Sequence, residues 1–153
     1  MVNSSELTPR PDPVRILALD FGSKSIGLAV SDALGLTAQG LPSLRRSNKP
    51  DDLDHLRRVI RQYKISEIVM GLPLRMSGSE GVQAKKVQAF AEELRRRFKV
   101  PVHLFDERLT SVEANRVLRE TDMSIQRRAQ VVDQLAAVLI LQSFLEFQKA
   151  RRI

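Results

Sequence analysis

Four acidic residues occupy positions in this chain where a carboxylate is costly. Asp20 ends the first apolar run of the sequence, and the adjacent Asp106 and Glu107 end a later one. Asp133 lies inside a long apolar segment, on the helical face that it shares with Ile140. Burying an unpaired charge costs free energy comparable to the whole stability of a small domain. These carboxylates therefore need a partner.

Carboxylates from two strand ends and one helix form a hard oxygen cage, which suits Mg²⁺ or Mn²⁺ with several waters retained. Two such ions about 4 Å apart activate water and stabilise the leaving oxygen of a phosphodiester. The chain has no cysteine and only two histidines, His55 and His103, which disfavours a zinc or thiolate site. The predicted catalytic and metal-binding residues are Asp20, Asp106, Glu107 and Asp133.

Each carboxylate also has a purely structural interpretation. Asp20 could cap the turn at Gly22, and Asp106 could pair with Arg108. Asp133 could pair with Arg127 or Arg128. The sequence leaves these alternatives open, although a sheet of the predicted order brings its strand ends together.

The elements that must position these residues make an α/β domain with a five-stranded mixed sheet flanked by helices. Two apolar runs separated by Gly22, Ser23 and Lys24 predict a hairpin. The order is three antiparallel strands followed by β-α units. We predict strands at 15–21, 25–31, 36–44, 66–72 and 102–106, and helices from Pro50, after residue 81, at 110–119 and at 126–148.

At 153 residues, with 42% hydrophobic and 28% charged side chains, the composition is that of a single globular domain. We expect a flexible leader at 1–13, the domain at 14–148 and a basic tail at 149–153. No apolar run approaches the roughly 20 residues of a membrane span, and residues 1–13 lack the apolar segment of a signal peptide. We therefore expect a cytoplasmic protein.

The charge balance favours a polyanionic partner. Lys and Arg total 25 against 18 Asp and Glu, a net charge of +7. The loop at 71–81 lies between a strand and a helix N-terminus, where an anion is favoured, although Ser77 or Ser79 could simply cap that helix. The candidate substrate-binding residues are Lys24, Gly71, Arg75, Lys85, Lys86, Arg108, Thr110 and Arg127, with Arg57 as a further candidate for a phosphate track.

The hairpin Asp20–Gly27 looks like the one that holds a nucleotide phosphate in actin-like ATPases and sugar kinases. Those enzymes need two such lobes around the nucleotide, and this chain has room for one. A glycine in a hairpin also serves the turn regardless of any ligand.

Four blocks together resemble the bacterial YqgF/RuvX proteins, small relatives of RuvC. The blocks are ALDFGSKSIGLAVSD, IVMGLPLRMSGSEGVQAKKVQAFAEEL, DERLTSVEA and VVDQLAAVLILQSFL, in the order and spacing of that family. The resemblance implies an RNase H-like fold and catalytic aspartates at Asp20 and Asp133, with Asp106 or Glu107 between them in the chain. It also implies supporting roles for Arg108 and Thr110, and substrate-loop positions at Gly71 and Arg75.

The resemblance further implies two activities, processing of the 5′ end of precursor 16S ribosomal RNA and resolution of four-way DNA junctions. Of these, the RNA-processing nuclease is favoured, with Mg²⁺ or Mn²⁺ as cofactor and structured RNA or branched DNA as partner. The chain would act as a monomer or a homodimer. The alternatives are a non-catalytic RNA-binding assembly factor and a minimal phosphate-binding ATPase lobe.

Overall fold

The chain alternates strands with helices around one sheet. The computed structural model describes residues 14–110 and 125–151, with side chains placed up to 110 and from 131 onward. The strands are β1 (Ile16–Phe21), β2 (Ser25–Ser31), β3 (Ala38–Arg45), β4 (Glu67–Leu72) and β5 (Val102–Asp106). The helices are α1 (Lys49–Gln62), α2 (Val82–Phe98) and α3 (Ile125–Arg151), and a short 3₁₀ turn, Glu107–Leu109, follows β5.

The sheet has the order β3-β2-β1-β4-β5. Strands β1, β2 and β3 pair antiparallel, while β4 pairs parallel with both β1 and β5. The carboxyl ends of β1, β4 and β5 therefore lie at one edge of the sheet, and Asp20 and Asp106 are at that edge. The predicted five-stranded mixed sheet is confirmed.

Alternation along the strands separates two hydrophobic layers. Leu17, Leu19 and Phe21 face α1 and α2, whereas Ile16 and Ala18 face α3. Asp20 follows the same alternation and lies on the α3 side. The Asp20 carboxylate at the edge of the sheet is therefore directed toward α3.

Local sequence explains where α1 begins. The Asn48 side chain accepts a hydrogen bond from the backbone N–H of Asp51 at 2.9 Å, and Pro50 occupies the first turn. Helix α2 begins instead after Gly81, which makes no side-chain cap. The alternative in which Ser77 or Ser79 caps α2 is therefore wrong, and the two hydroxyls bond each other at 2.9 Å.

Helix α3 lies close to the sheet because the strands under it carry small residues. A Cβ on Gly27 would lie 2.2 Å from the carbonyl oxygen of Asp133, and one on Gly40 would lie 2.5 Å from the Gln134 side chain. The pairing of β2 with β3 is irregular between Ile26 and Leu28, around the same glycine. The two glycines set how near Asp133 comes to β1.

Helix α3 includes a stretch, Val131–Arg151, that is long and apolar enough to cross a membrane by length and composition alone. Its Ala137, Ile140, Leu141 and Phe144 are buried against the sheet, as expected for the core helix of a globular domain. The face that Asp133 was predicted to share with Ile140 is therefore the packed face.

Most element boundaries agree with the prediction within two residues. Strands 25–31 and 102–106 are confirmed as predicted, and α3 extends beyond the predicted 126–148 at both ends. The third strand begins at Ala38 rather than at 36, because the Asp32 carboxylate accepts from the backbone N–H of Leu36 at 2.7 Å and holds that residue in the turn. The helix predicted at 110–119 lies almost wholly outside the described residues.

We predict that Gly27→Ala destabilises the fold by at least about 2 kcal/mol, because the added methyl group meets backbone that cannot rotate away. Urea unfolding measures the change. Gly35→Ala is the matched control, since Gly35 has φ +69° but open space around it, so it loses only about 1 kcal/mol to backbone strain. Equal losses for the two variants would show that close packing at Gly27 does not limit the fold.

Candidate active site

Asp20 and Glu107 form a coupled carboxyl pair at the edge of the sheet. Asp20 is the fifth residue of β1, and Glu107 is the first residue after β5. The two carboxyl groups lie close enough that each shifts the pKa of the other. Both line a cleft of about 830 Å³ whose other wall is α3.

Burial raises the pKa of both carboxyl groups. The pKa of Asp20 rises from its ordinary 3.8 to about 6, first through desolvation and then through the charge of Asp133. The pKa of Glu107 rises from 4.5 to about 7, through desolvation, the charge of Asp20 and the hydrogen bond to Asp20. Between about pH 6 and pH 7 the coupled pair therefore retains bound proton that an exposed pair of carboxyl groups would have lost.

Asp106 takes a different role from Glu107. It lines the same cleft, at the end of β5. Its carboxylate accepts from the Arg108 side chain at 2.7 to 3.0 Å and from the Arg108 backbone N–H at 3.0 Å. The Arg108 guanidinium holds the pKa of Asp106 below its ordinary range. The structure thus confirms the Asp106–Arg108 pairing that the sequence left open, and directs Glu107 toward Asp20.

Ser25 holds the carboxylate of Asp133. Its hydroxyl donates to Oδ2 of Asp133 at 2.5 Å, across 108 residues of sequence. Ser25 and Gly27 lie on the α3 side of β2, so one supplies the hydrogen bond and the other makes room for the helix. The side chains of Arg127 and Arg128 lie outside the described residues, so the alternative pairing of Asp133 with them is not tested.

Asp133 lies on α3, near Asp20. Its charge contributes to the raised pKa of Asp20. Among residues 14–110 and 131–151, however, no three His, Cys, Asp or Glu side chains are close enough to form one complete metal cluster. Within the described chain, Asp20 and Glu107 are the two acidic residues of this cleft whose pKa values are raised.

Arg108 links the site to the loop after β4. Besides binding Asp106, it donates from Nη1 to the carbonyl oxygen of Met76 at 3.3 Å. Arg108, Thr110 and Met76 all line the cleft with Glu107. The Thr110 hydroxyl donates to the Glu107 carbonyl oxygen at 2.7 Å and closes the 3₁₀ turn that presents Glu107. Sequence reasoning gave no signal for Met76 or for Ser25.

The other predicted substrate residues are spread over the molecule. Gly71 lies beneath the site, where a Cβ would meet Oε1 of Glu107 at 2.4 Å, so it makes room for that side chain. Lys24 is exposed in the β1–β2 turn. Arg75 lies against Gly81, and Arg57 pairs with Asp54 at 3.0 Å. Lys85 is exposed on α2, Lys86 lines a second cavity on the other face of the sheet, and the Arg127 side chain is outside the described residues.

The fold is that of RuvC. T. thermophilus RuvC, solved in complex with a Holliday junction substrate, superposes with a TM-score of 0.53 at 14% identity, over 88% of this chain and 96% of RuvC. The five-stranded mixed sheet and its flanking helices therefore define an α/β protein of the RuvC-like, RNase H-fold class.

Sequence comparison shows the family to which this chain belongs. A family model described as RuvX, Holliday junction resolvase, matches residues 14–147, so the chain belongs to the RuvX family. It is 62% identical over 132 residues to a protein of Koribacter versatilis, covering 86% of each chain. It is 53% identical over 133 residues to a protein of Moorella thermoacetica, covering 87% of this chain and 95% of the relative. Both relatives are named as pre-16S rRNA nucleases.

The carboxyl pair should make stability depend on pH in an unusual direction. Because the pKa values of Asp20 and Glu107 are raised in the folded chain, the folded state binds more protons than the unfolded state between about pH 4 and pH 7. Their contribution to stability is therefore present at low pH and is lost as pH rises through about 7. We predict that Glu107→Gln in metal-free buffer flattens this decline and is about 1 to 2 kcal/mol more stable than the native chain at pH 8.

Asp106→Asn is the matched control for that measurement. The pKa of Asp106 is lowered, so its contribution is present above its ordinary pKa and is lost as pH falls. The two variants should thus change unfolding free energy in opposite directions at pH 8, as measured by denaturant titration. A Glu107→Gln variant less stable than the native chain at pH 8 would contradict the shared-proton geometry.

Proposed function

We propose that this protein is a metal-dependent endonuclease that processes the 5′ end of precursor 16S rRNA. The observation that carries the proposal is the Asp20–Glu107 carboxyl pair, buried in a cleft with a basic side chain at its edge. Family membership and the names of the relatives give the reaction class and the RNA. A protein that processes ribosomal RNA would act in the cytoplasm.

The residues at the cleft fit Mg²⁺ or Mn²⁺. The pair offers hard oxygen donors and shares a proton that a divalent cation would displace. Mg²⁺ is commonly bound by one or two carboxylates together with waters and substrate phosphates, so two close carboxylates suffice. Asp20 and Glu107 would hold the ion, with Asp133 nearby on α3. When bound, the ion would supply activation of water and stabilisation of charge on the phosphodiester.

The side chains of the chain have separable roles in this proposal. Glu107 and Asp20 hold a proton between them at neutral pH and release it when the site is loaded. Arg108, whose guanidinium is bound to Asp106 and to the loop at Met76, directs positive charge toward the cleft and would position a substrate phosphate. Ser25 fixes the Asp133 carboxylate relative to β1.

Resolution of four-way DNA junctions is the second candidate. The family description names this activity, and the fold is that of RuvC. Cutting two strands symmetrically favours a dimer, whereas trimming one RNA end requires only a monomer. The substrate that is cut and the oligomeric state therefore distinguish the two functions.

We predict that Asp20→Asn and Glu107→Gln each lower cleavage of a labelled precursor 16S fragment at least about 100-fold, because each removes a proposed metal ligand. RNA binding in EDTA should be retained, and the melting temperature should not fall. EDTA should abolish cleavage by the native chain, and Mn²⁺ should restore it. A four-way DNA junction assayed in parallel tests the second candidate.

Asp106→Asn is the matched control for Glu107→Gln, since the two acidic residues are adjacent and differ in what they contact. We expect it to lose less than about tenfold, through freer motion of Arg108. If Asp106→Asn abolished cleavage while Glu107→Gln did not, the assignment of the metal ligand would be wrong.

Ser25 should act through the position of Asp133. We predict that Ser25→Ala lowers the turnover number about tenfold with little change in KM, and that Ser25→Thr, which keeps the hydroxyl, restores most of the rate. Steady-state kinetics on the RNA fragment measure both constants. A rise in KM alone, or no rescue by threonine, would place Ser25 outside the positioning of Asp133.

A further inference from the structure

A second cavity lies on the face of the sheet opposite the proposed active site. It has a volume of about 360 Å³ and is enclosed by the end of β1, the start of α1 and the middle of α2. Asp20 and Phe21 are adjacent on β1, but Asp20 faces the active cleft while Phe21 faces this cavity. The two spaces are thus on opposite sides of one strand end.

The floor of this cavity is aromatic and its walls carry cations. The rings of Phe21 and Phe90 stack with centroids 4.5 Å apart. The Arg46 guanidinium lies over the Phe21 ring, 4.5 Å from its centroid, and a third of the Arg46 side chain is exposed. Lys49 and Lys86 complete the basic wall. An apolar floor beneath fixed cations suits a planar group that bears a phosphate.

The two carboxylates of the cavity are already neutralised. Asp52 accepts from the backbone N–H of Ser47 at 3.1 Å and lies 3.8 Å from Arg46. Glu93 is bound by Arg96 and by Arg97, which do not line the cavity, so its 3.5 Å contact with Lys49 is not needed to balance its charge. The net charge left facing the cavity is positive.

Lys86 is exposed, and within the described residues it makes no ion pair with a carboxylate. Lys49 is also largely exposed. The Lys86 ammonium is thus available to an anion, and the Lys49 ammonium can reach the same anion by leaving Glu93, which keeps Arg96 and Arg97.

We propose that this cavity binds one nucleotide unit, with its phosphate between Lys49 and Lys86 and its base stacked on the Arg46 guanidinium, which covers the buried phenyl floor. The volume is at the lower end of the roughly 300 to 1,000 Å³ of small-ligand pockets, which suits a single nucleotide. The nucleotide would come from a single-stranded stretch of the substrate or be free in solution. Its assignment to RNA rests on the proposed function.

Arg46 also connects the cavity to the active site. It donates from Nη1 to the carbonyl oxygen of Gly22 at 2.9 Å, and its backbone N–H donates to that of Lys24 at 2.9 Å. Both acceptors lie in the turn that joins the strand of Asp20 to the strand of Ser25. A nucleotide that engages Arg46 would therefore fix the turn between two residues of the proposed site.

Binding of a fluorescently labelled single-stranded RNA in EDTA tests the proposal. The double variant Lys49→Gln with Lys86→Gln should weaken binding at least about fivefold at about 0.1 M salt. It should also lower the slope of log affinity against log salt by about 0.7, since the two lysines share one phosphate and each phosphate contact on a single strand contributes about 0.7. Lys64→Gln with Lys99→Gln is the charge-matched control, because both are exposed lysines outside this cavity and the active cleft. Equal affinities and slopes for the two double variants overturn the proposal.

Nuclear magnetic resonance separates the sources of the nucleotide. Adenosine monophosphate that shifts the amides of Phe21, Arg46 and Phe90 supports a site open to free nucleotides, and shifts with the RNA alone support a strand-bound nucleotide. Inorganic phosphate that shifts them as strongly as the nucleotide contradicts base recognition, and no shift with any ligand overturns the site.

Cleavage assays keep this inference separate from the proposed function. If the native chain cuts no RNA but Lys49→Gln with Lys86→Gln weakens binding, the proposed function fails and the nucleotide site stands. If the native chain cuts RNA but Lys49→Gln with Lys86→Gln binds RNA as well as the control does, the proposed function stands and the nucleotide site fails.

Discussion

The close approach of α3 to the sheet is the constraint on which the site depends. Gly27 and Gly40 leave no Cβ beneath the helix, so the backbone of Asp133 can lie over β2 at a distance that alanine would forbid. The same packing covers the end of β1 and removes Asp20 and Glu107 from water, which raises the pKa of each. The close packing that the two glycines allow is thus the reason why the pKa values of Asp20 and Glu107 are raised and why the pair retains a proton.

The two faces of the sheet carry different sites. Alternation along β1 sends Asp20 to the α3 side and Phe21 to the side of α1 and α2. The β1–β2 turn joins the two sides, because Arg46 holds it from one and Ser25 leads from it to Asp133 on the other. Arg46 and Ser25 thereby connect both faces of the sheet to the strand end where the carboxyl pair lies.

Much of this arrangement could be predicted from local pattern. The order of strands and helices along the chain, the burial of the face that Asp133 shares with Ile140, and the acidic strand ends all follow from periodicity in the sequence. The choice between Asp106 and Glu107 could not be made, because it depends on the 3₁₀ turn that directs Glu107 back over the sheet. Ser25 carried no signal, since its partner lies 108 residues away. The catalytic and metal-binding roles themselves remain the proposal.

Calorimetric titration of Mn²⁺ into the native chain at pH 6.5, repeated in buffers of different ionisation enthalpy, tests the central claim most directly. If Asp20 and Glu107 share a proton and together bind the ion, binding releases about one proton per ion, and Glu107→Gln abolishes that release and weakens binding. Binding without proton release, or undiminished binding and release by Glu107→Gln, would place the metal elsewhere and contradict the account.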